Sequence, residues 1–217
     1  MLLATDLDGT FLGGDQTVRL KLYQLIAAHP GIALVFVTGR GLEHVLPLLA
    51  DPTMPEPDYI IADVGATVVH GSTQQPVAAI QEFMDQRWPG EHVVAEALAG
   101  FEGLQRQEVP QERRCAYFCE AHHIDDRVRR TVADLGCDLL FSAGKYFDVL
   151  PRGVSKGRTL KRLVDHLGVD VEDVLVAGDT LNDLSMYEQG FKGVCVGDSE
   201  EGLLLAAEEL ARIYHAR

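Results

Sequence analysis

Residues 1–10 read MLLATDLDGT, a short apolar run that ends in two acidic residues and a glycine. The apolar run predicts a buried strand, and Asp6 and Asp8 can both point into the loop beyond its end. One carboxylate would then serve as a nucleophile and the other as a general acid and base. The alternative is a polar turn with an Asx motif. We favour the catalytic interpretation.

The next segments repeat the strand-then-loop pattern. The continuous apolar run at 32–37 ends in Thr38-Gly39-Arg40, a third run occupies 59–62, and apolar residues at helical spacing lie between the first two runs. Strand, helix, strand at these intervals predicts βαβ units and a parallel sheet, which is an α/β fold. Right-handed crossovers would bring Asp6, Asp8 and Thr38 to one edge of that sheet.

A second acidic cluster, GDTLND, occupies residues 178–183 directly after the apolar run at 173–177. Oxygen ligands from Asp179 and Asp183, four residues apart, suit Mg²⁺. The alternative is a capping cluster, because aspartate also favours helix N-termini. Capping alone does not explain why both acidic clusters follow buried strand-like runs.

Two further motifs can hold a phosphate group. Thr38 and Gly39 offer a hydroxyl and backbone N–H groups beside a helix start, and Lys156 stands at the start of a helix that ends at Gly168. A lysine there is disfavoured by the helix dipole, and a phosphate ligand would explain it. Taken alone, ordinary loop chemistry at Thr38 and a solvated Lys156 are the simpler interpretations.

The middle of the chain has a different order of predicted helices and strands from the two ends. It contains helical spacing at 76–88 and 125–135, a strand-like run at 115–120, and a predicted hairpin around Gly144-Lys145. We therefore predict an α+β insert with an antiparallel sheet. The predicted organisation is a core of residues 1–72 and 152–217, with residues 73–151 forming a small cap domain, called the insert below.

Composition excludes several partners. The 217 residues carry a formal net charge of −14, which argues against nucleic acid and against an anionic membrane surface. No apolar run is long enough to span a membrane, and the start of the chain lacks a signal-peptide pattern. The four cysteines lack zinc-site spacing, so we expect buried thiols and a cytoplasmic location.

The four motifs, in this order, resemble those of the haloacid dehalogenase superfamily of phosphohydrolases. They are Asp6-Leu7-Asp8-Gly9-Thr10, Thr38, Lys156, and Gly178-Asp179 to Asp183. The resemblance implies a Rossmann-like core. The position of the insert resembles the α/β cap of the subgroup that includes sucrose-phosphate phosphatase, phosphomannomutase and Cof-type sugar phosphatases. The start of the chain and residues 61–65 look most like the sucrose-phosphatase-like branch.

The resemblance also implies roles for individual residues. Asp6 would be the nucleophile and a Mg²⁺ ligand, and Asp8 would be the acid and base and would give its carbonyl to the metal. Thr38 and Lys156 would hold the phosphoryl group, with Gly39 and Asn182 as further phosphate contacts. Asp179 would ligate the metal directly, and Asp183 would orient it through water.

We therefore expect a Mg²⁺-dependent phosphomonoesterase that acts on a phosphorylated sugar or sugar-like metabolite. The alternatives are a phosphohexomutase of the same fold and a non-catalytic binding protein. In the insert, Arg113-Arg114 and Lys145-Tyr146 either meet an anionic or sugar ligand or form a solvated face.

Overall fold

The computed structural model describes residues 1–110 and 112–216. In chain order, its strands are β1 (Leu2–Thr5), β2 (Ala33–Val37), β3 (Tyr59–Ala62), β4 (Thr67–His70), β5 (Gln105–Arg106), β6 (Cys115–Phe118), β7 (Cys137–Ser142), β8 (Tyr146–Pro151), β9 (Val174–Gly178), β10 (Lys192–Cys195) and β11 (Ile213–His215). Its α-helices are α1 (Gln16–Ala28), α2 (Leu42–Val45), α3 (Ala78–Asp85), α4 (Glu91–Leu98), α5 (Asp126–Asp134), α6 (Lys156–Leu167), α7 (Leu184–Tyr187) and α8 (Glu201–Glu208).

The larger sheet has the strand order β11-β10-β9-β1-β2-β3-β4. Its neighbours pair in parallel except β3 and β4, which form an antiparallel pair. The central strand β1 lies between β2 and β9, so the loops after these three strands share the carboxyl edge of the sheet. The predicted α/β class with a parallel-rich sheet is confirmed.

The central strands read as continuous apolar runs because they are buried on both faces and need no polar alternation. In β2, Val35, Phe36 and Val37 are fully buried, and in β3 Ile60 and Ile61 are too. Helices cover both faces of this sheet, which is the usual solution for a parallel sheet. The continuous apolar runs therefore predicted these strands correctly.

Helix α1 contains the apolar spacing that predicted a helix, but part of that spacing faces solvent. Tyr23 and Ile26 are buried against the sheet, whereas Val18, Leu22 and Leu25 are 64%, 38% and 54% exposed. The helix begins where the Asp15 carboxylate accepts hydrogen bonds from the backbone of the first turn. Local capping and a narrow buried stripe fix this helix on the core.

The smaller sheet is antiparallel, in the order β5-β6-β8-β7, and lies in the insert. Its β7–β8 hairpin is the one predicted around Gly144-Lys145. Helices α4 and α5 pack on it and share a separate apolar cluster with it. This cluster includes three of the four cysteines, which are buried as free thiols, as expected.

Helix α3 lies at the start of the predicted insert but packs with the larger sheet. Val77, Ile80 and Met84 belong to the same apolar cluster as strands of that sheet and α6. The Gln81 side chain also bonds to the backbone of Ala66 and Val68, beside β4. The polypeptide therefore leaves the packing of the larger sheet after α3, later than residue 73.

Some elements were not predicted. Helix α4 carries only two fully inward apolar residues, Val94 and Leu98, and strand β11 has three residues, so neither gives a long periodic signal. Helix α8 ends at Glu208, and the chain continues into β11. Among the residues that the structure describes, no helix combines the length and apolarity needed to cross a membrane.

Candidate active site

Parallel pairing brings the sequence motifs to one edge of the larger sheet. Asp6 follows β1, Thr38 follows β2 and Asp179 follows β9, while Lys156 begins α6. The Asp6 N–H donates to the Ala177 carbonyl at 2.9 Å, which continues the β1–β9 ladder up to the acidic residues. The loops that carry the four motifs are therefore in contact.

Lys156 lies at the centre of this site. Its side chain is 1% exposed, and its Nζ donates to Asp6 Oδ1 at 2.7 Å and to Asp183 Oδ1 at 2.7 Å. Burial alone would lower the pKa of Lys156, but the two carboxylates outweigh it and raise that pKa. The two carboxylates account for a lysine at a helix start.

The nucleophile candidate, Asp6, is buried beside three other charges. Burial raises the pKa of its carboxyl to about 7, while the Lys156 ammonium opposes that shift and the Asp183 and Asp179 carboxylates add to it. The Lys156 ammonium favours the ionised form of this carboxyl, and a second cation would favour it further.

Three carboxylates form a group that fits a divalent cation. Asp6, Asp179 and Asp183 each offer an oxygen, and these oxygens lie within 4.8 Å of one another. Burial raises the pKa of Asp179, while Thr10 Oγ1 donates to its Oδ1 at 2.9 Å. Clustered carboxylate oxygens suit Mg²⁺, so the residues present fit the expected ion.

A glycine makes this close approach of carboxylates possible. Gly9 has φ +77, and a Cβ there would lie 2.1 Å from Asp179 Oδ2. Any side chain would therefore displace the Asp179 carboxylate as well as strain the backbone. The glycine in the first motif is a geometric requirement for bringing the two acidic loops together.

Asp183 is held rigidly by its own loop. Its Oδ2 accepts from the backbone N–H groups of Asp179 and Thr180, both at 3.0 Å, while its other oxygen accepts from Lys156. The predicted capping role is therefore real, and it coexists with membership of the carboxylate group. One side chain both starts the helical turn and faces the charged centre.

Asp8 points away from this group and into a cavity. It is bound at both oxygens by Arg40, whose Nε donates at 2.7 Å and whose Nη2 donates at 2.5 Å. Arg40 belongs to the TGR stretch quoted above, but sequence reasoning assigned it no role. The signal available was its position directly after Thr38 and Gly39 at the same sheet edge.

Thr38 is fully buried, and its hydroxyl oxygen accepts from the Arg40 backbone N–H at 3.1 Å. A hydroxyl that accepts one hydrogen bond can also donate its own proton, although Thr38 itself is not among the described residues that line the cavity. On the opposite loop, Asn182 Oδ1 accepts from Thr180 Oγ1 at 3.0 Å, and both residues border the cavity. The predicted phosphate contacts thus lie at the same sheet edge, on separate loops.

The cavity has a volume of about 360 Å³ and is enclosed by both parts of the chain. Asp6, Asp8 and Gly39 line it from the larger sheet, and Tyr146 and Asp148 line it from the insert. Of the two pairs noted in the insert, Arg114 and Tyr146 line the cavity. Within the described residues, Arg113 and Lys145 do not; Arg113 pairs instead with Asp85 and Glu112.

A buried charge cluster adjoins the cavity and was not predicted. Arg114 Nη2 lies 3.0 Å from Asp63 Oδ1, and its Nη1 lies 3.7 Å from Asp148 Oδ1. Burial raises the pKa of Asp148 to about 6, with Arg114 opposing and Asp63 adding to the shift. Asp63 and Asp148 lie 85 residues apart in sequence, so no local motif could reveal the cluster.

The chain matches a model of a known protein family. The family model described as "Sucrose-6F-phosphate phosphohydrolase" matches residues 1–217, the whole chain. The chain belongs to this family. The predicted superfamily, haloacid dehalogenase, and the predicted sucrose-phosphatase-like branch are thereby confirmed.

Two relatives differ in how much of their length this chain covers. The chain is 58% identical over 217 residues to the "Glucosylglycerol-phosphate synthase" of Pseudomonas anguilliseptica, covering 100% of this chain and 29% of that protein. It is 28% identical over 224 residues to the "Mannosylfructose-phosphate phosphatase" of Agrobacterium fabrum, covering 99% of this chain and 90% of that protein. The chain therefore spans less than a third of the first relative and nearly all of the second.

A solved structure agrees with the fold. The sucrose-phosphatase of Synechocystis sp. PCC6803, in complex with sucrose and phosphate, superimposes with a TM-score of 0.87 at 26% identity. The match covers 100% of this chain and 91% of that one. The larger sheet and the insert are thus both shared with that structure.

Proposed function

We propose that the chain is a Mg²⁺-dependent phosphomonoesterase that hydrolyses a phosphorylated glycoside through an aspartyl-phosphate on Asp6. The observation that carries the proposal is the arrangement of Asp6. Its carboxylate touches Lys156, belongs to a three-carboxylate group, and lines the cavity. A carboxylate that is buried, cation-paired and accessible to a ligand has the environment of a nucleophile.

Two steps follow for the residues of this chain. Asp6 attacks phosphorus, its oxygen forms the new P–O bond, and the bond to the leaving oxygen breaks while Asp8, which must first part from Arg40 and take up a proton from solvent, gives that proton to the leaving oxygen. Asp8 then takes a proton from water, which attacks the phosphorus, releases inorganic phosphate and restores the Asp6 carboxylate. Exposure of Asp8 to the cavity places it beside an incoming leaving group.

The surrounding residues bind and orient the phosphoryl group. The Thr38 hydroxyl and the Lys156 ammonium would donate to its oxygens, with the Gly39 loop and Asn182 as further contacts. Asp6, Asp179, Asp183 and the Asp8 carbonyl would hold Mg²⁺. The ion would neutralise charge between the carboxylate and the anionic phosphoryl group.

The leaving group is best sought among glycosylated polyols and sugars. The relatives are named for glucosylglycerol phosphate, mannosylfructose phosphate and sucrose phosphate, each a sugar joined to a second polyhydroxylated unit. At 58% identity, the glucosylglycerol-phosphate relative supports that substrate before the others. A cavity of about 360 Å³ has room for part of such a compound.

We also propose that the part of the insert that follows α3 acts as a lid that chooses the leaving group. The smaller sheet forms one wall of the cavity, and the motif loops form the other. Closing such a wall excludes bulk water and brings side chains of the insert to the substrate. A reducing cytoplasm remains our proposal for its location, in keeping with four free cysteines.

A panel assay tests this function. Glucosylglycerol phosphate, mannosylfructose phosphate, sucrose phosphate and simple hexose phosphates are each incubated with the protein and Mg²⁺, and inorganic phosphate is measured. We expect release from the glycosylated compounds, fastest from glucosylglycerol phosphate. Isomerised hexose phosphate without phosphate release would instead indicate a mutase, and no reaction with any compound would support a binding protein.

A further inference from the structure

One peptide unit of the phosphate-binding loop is held from both sides of the cavity. The Gly39 carbonyl accepts from Arg114 Nη1 at 2.8 Å, and the N–H of the same peptide unit, that of Arg40, donates to Thr38 Oγ1 at 3.1 Å. Gly39 follows β2 of the larger sheet, whereas Arg114 directly precedes β6 of the insert. The insert thus contacts the backbone next to a residue proposed to bind phosphate.

Arg114 is itself fixed on both sides. Its side chain is 8% exposed, and its guanidinium lies between Asp63, which follows β3, and Asp148, which is in β8. One carboxylate therefore belongs to the core loops and the other to the insert. The planar guanidinium reaches the Gly39 carbonyl and the Asp63 carboxylate together, while Asp148, at 3.7 Å, lies beyond hydrogen-bond distance and contributes its charge alone.

Hydrogen bonds hold this peptide unit and its neighbours. A Cβ at Gly39 would have only Val64 Cγ2 within 4 Å, at 4.0 Å, so no side chain packs tightly beside this glycine. The flanking carbonyls of Thr38 and Arg40 accept from the Val64 and Asp63 N–H groups, at 3.1 and 2.8 Å. The carbonyl between them, that of Gly39, receives its charge-assisted hydrogen bond from Arg114.

We propose that Arg114 is a positioning residue that transmits the position of the insert to the Thr38 hydroxyl. With its oxygen occupied by the Arg40 N–H, that hydroxyl donates its proton toward the phosphoryl group. Loss of the Arg114 contact removes the charge-assisted restraint on the Gly39 carbonyl and loosens the bond from the Arg40 N–H to the hydroxyl, although the flanking carbonyls stay bonded. Phosphate binding is then strongest when the insert is closed. The inference rests on the proposed function of this same site.

The prediction differs from that of an ordinary lid residue. A residue that only contacts the leaving group affects large substrates and leaves small phosphate esters untouched. Arg114 acts on the phosphate end, so its loss should weaken reaction with every ester, including p-nitrophenyl phosphate. Removing one charge-assisted hydrogen bond corresponds to roughly a 10- to 100-fold loss in kcat/KM.

The test compares Arg114→Gln with Arg113→Gln. The neighbouring Arg113 is paired with Asp85 and Glu112 and does not line the cavity in the described part of the chain. We expect Arg114→Gln to lower kcat/KM for p-nitrophenyl phosphate by 10-fold or more, on the scale given above, and Arg113→Gln to leave it near wild type. Arg114→Lys, which keeps the charge, guards against a variant that fails to fold.

A double-mutant cycle with Thr38→Val tests whether Arg114 acts through the Thr38 hydroxyl. If Arg114 acts through the hydroxyl, Arg114→Gln should cost little more in the Thr38→Val background. Independent, multiplying losses would overturn the inference, as would an Arg114→Gln defect limited to the glycosylated substrate. Calorimetric binding of inorganic phosphate with Mg²⁺ gives the same comparison without turnover. A wild-type protein that binds phosphate but hydrolyses no ester would refute the proposed function alone.

Discussion

The ammonium of Lys156 lies 2.7 Å from the carboxylate of Asp6, although 150 residues of chain separate them. Both side chains are almost fully buried, at 1% and 6% exposed. Their contact joins the first strand of the chain to a helix that begins after the insert. The ion pair that the proposed chemistry uses therefore also ties the loop after β1 to the start of α6.

Replacing Lys156 by Met should leave two buried carboxylates without their cation. Breaking a buried pair from one side costs about 3–5 kcal/mol, and we expect a loss of stability on that scale together with loss of phosphatase activity. Urea denaturation measures it. The control is Lys161→Met in the same helix, a half-buried residue paired with the exposed Asp165, which should change stability by less than about 1 kcal/mol. Equal effects of the two variants would contradict the account.

Magnesium should be required for activity and should also stabilise the protein. Three carboxylates within 4.8 Å repel one another, so a bound divalent cation should raise the melting temperature with increasing concentration. Exhaustive chelation should abolish turnover. Calcium should substitute poorly, because its looser coordination would misplace the attacking carboxylate. Full activity in chelator, with no thermal shift on adding Mg²⁺, would be the opposite result.

Gly9→Ala should impair the metal site without unfolding the chain. The added methyl group would meet Asp179 Oδ2 at 2.1 Å, so that carboxylate must move. Gly14→Ala is the matched control, because φ there is also positive, at +69, but the surrounding space is open. We expect both variants to lose some stability from backbone strain, and only Gly9→Ala to lose Mg²⁺ affinity by calorimetry. Similar Mg²⁺ affinities in the two variants would disagree with the geometry.

Asp148→Asn should stabilise the protein above pH 6 and have little effect near pH 4. The pKa of this carboxyl is about 6 in the fold against an ordinary 3.8, chiefly because of burial, and despite Arg114. Between these pH values the folded protein keeps a proton that the unfolded chain has lost. Stability therefore falls as pH rises through this range, by on the order of 3 kcal/mol.

Thermal denaturation of the wild type and of Asp148→Asn from pH 4 to pH 8 measures the difference in their stability. The control is Asp165→Asn, since Asp165 is exposed and its carboxylate pairs with Lys161 on the same helix. The advantage of Asp148→Asn should grow between pH 4 and pH 6 and then level off. If Asp148→Asn were more stable than wild type by the same amount at pH 4 and pH 8, ionisation of Asp148 would not destabilise the fold as predicted.

The sequence predicted the elements whose signal is local. The strands before Asp6, Thr38 and Asp179 are continuous apolar runs, and helix α6 has both a Ser155 cap and a Gly168 stop. Because parallel strands must present their carboxyl ends together, a linear motif order was enough to predict one shared edge. The buried face of α1 was harder to predict, because Val18 is apolar and yet exposed.

The part of the site that sequence could not predict depends on long-range contacts. Arg114 contacts Gly39 across 75 residues, and nothing beside Arg114 distinguishes it from Arg113. The pairing of Asp8 with Arg40 likewise requires two strand ends to be adjacent. The sheet on which helix α3 packs could not be predicted either, because the spacing of its apolar residues is compatible with both sheets.

The most direct test of the central claim is acid-quenched mass spectrometry of Asp6 during turnover of glucosylglycerol phosphate with Mg²⁺. We predict a phosphoryl group on the peptide that contains Asp6. We also predict that Asp6→Asn, which keeps the size of the side chain, loses the modification and lowers turnover by at least about a thousandfold. An Asp6→Asn variant that still releases phosphate near the wild-type rate, with no phosphorylated Asp6 in wild type, would contradict the account.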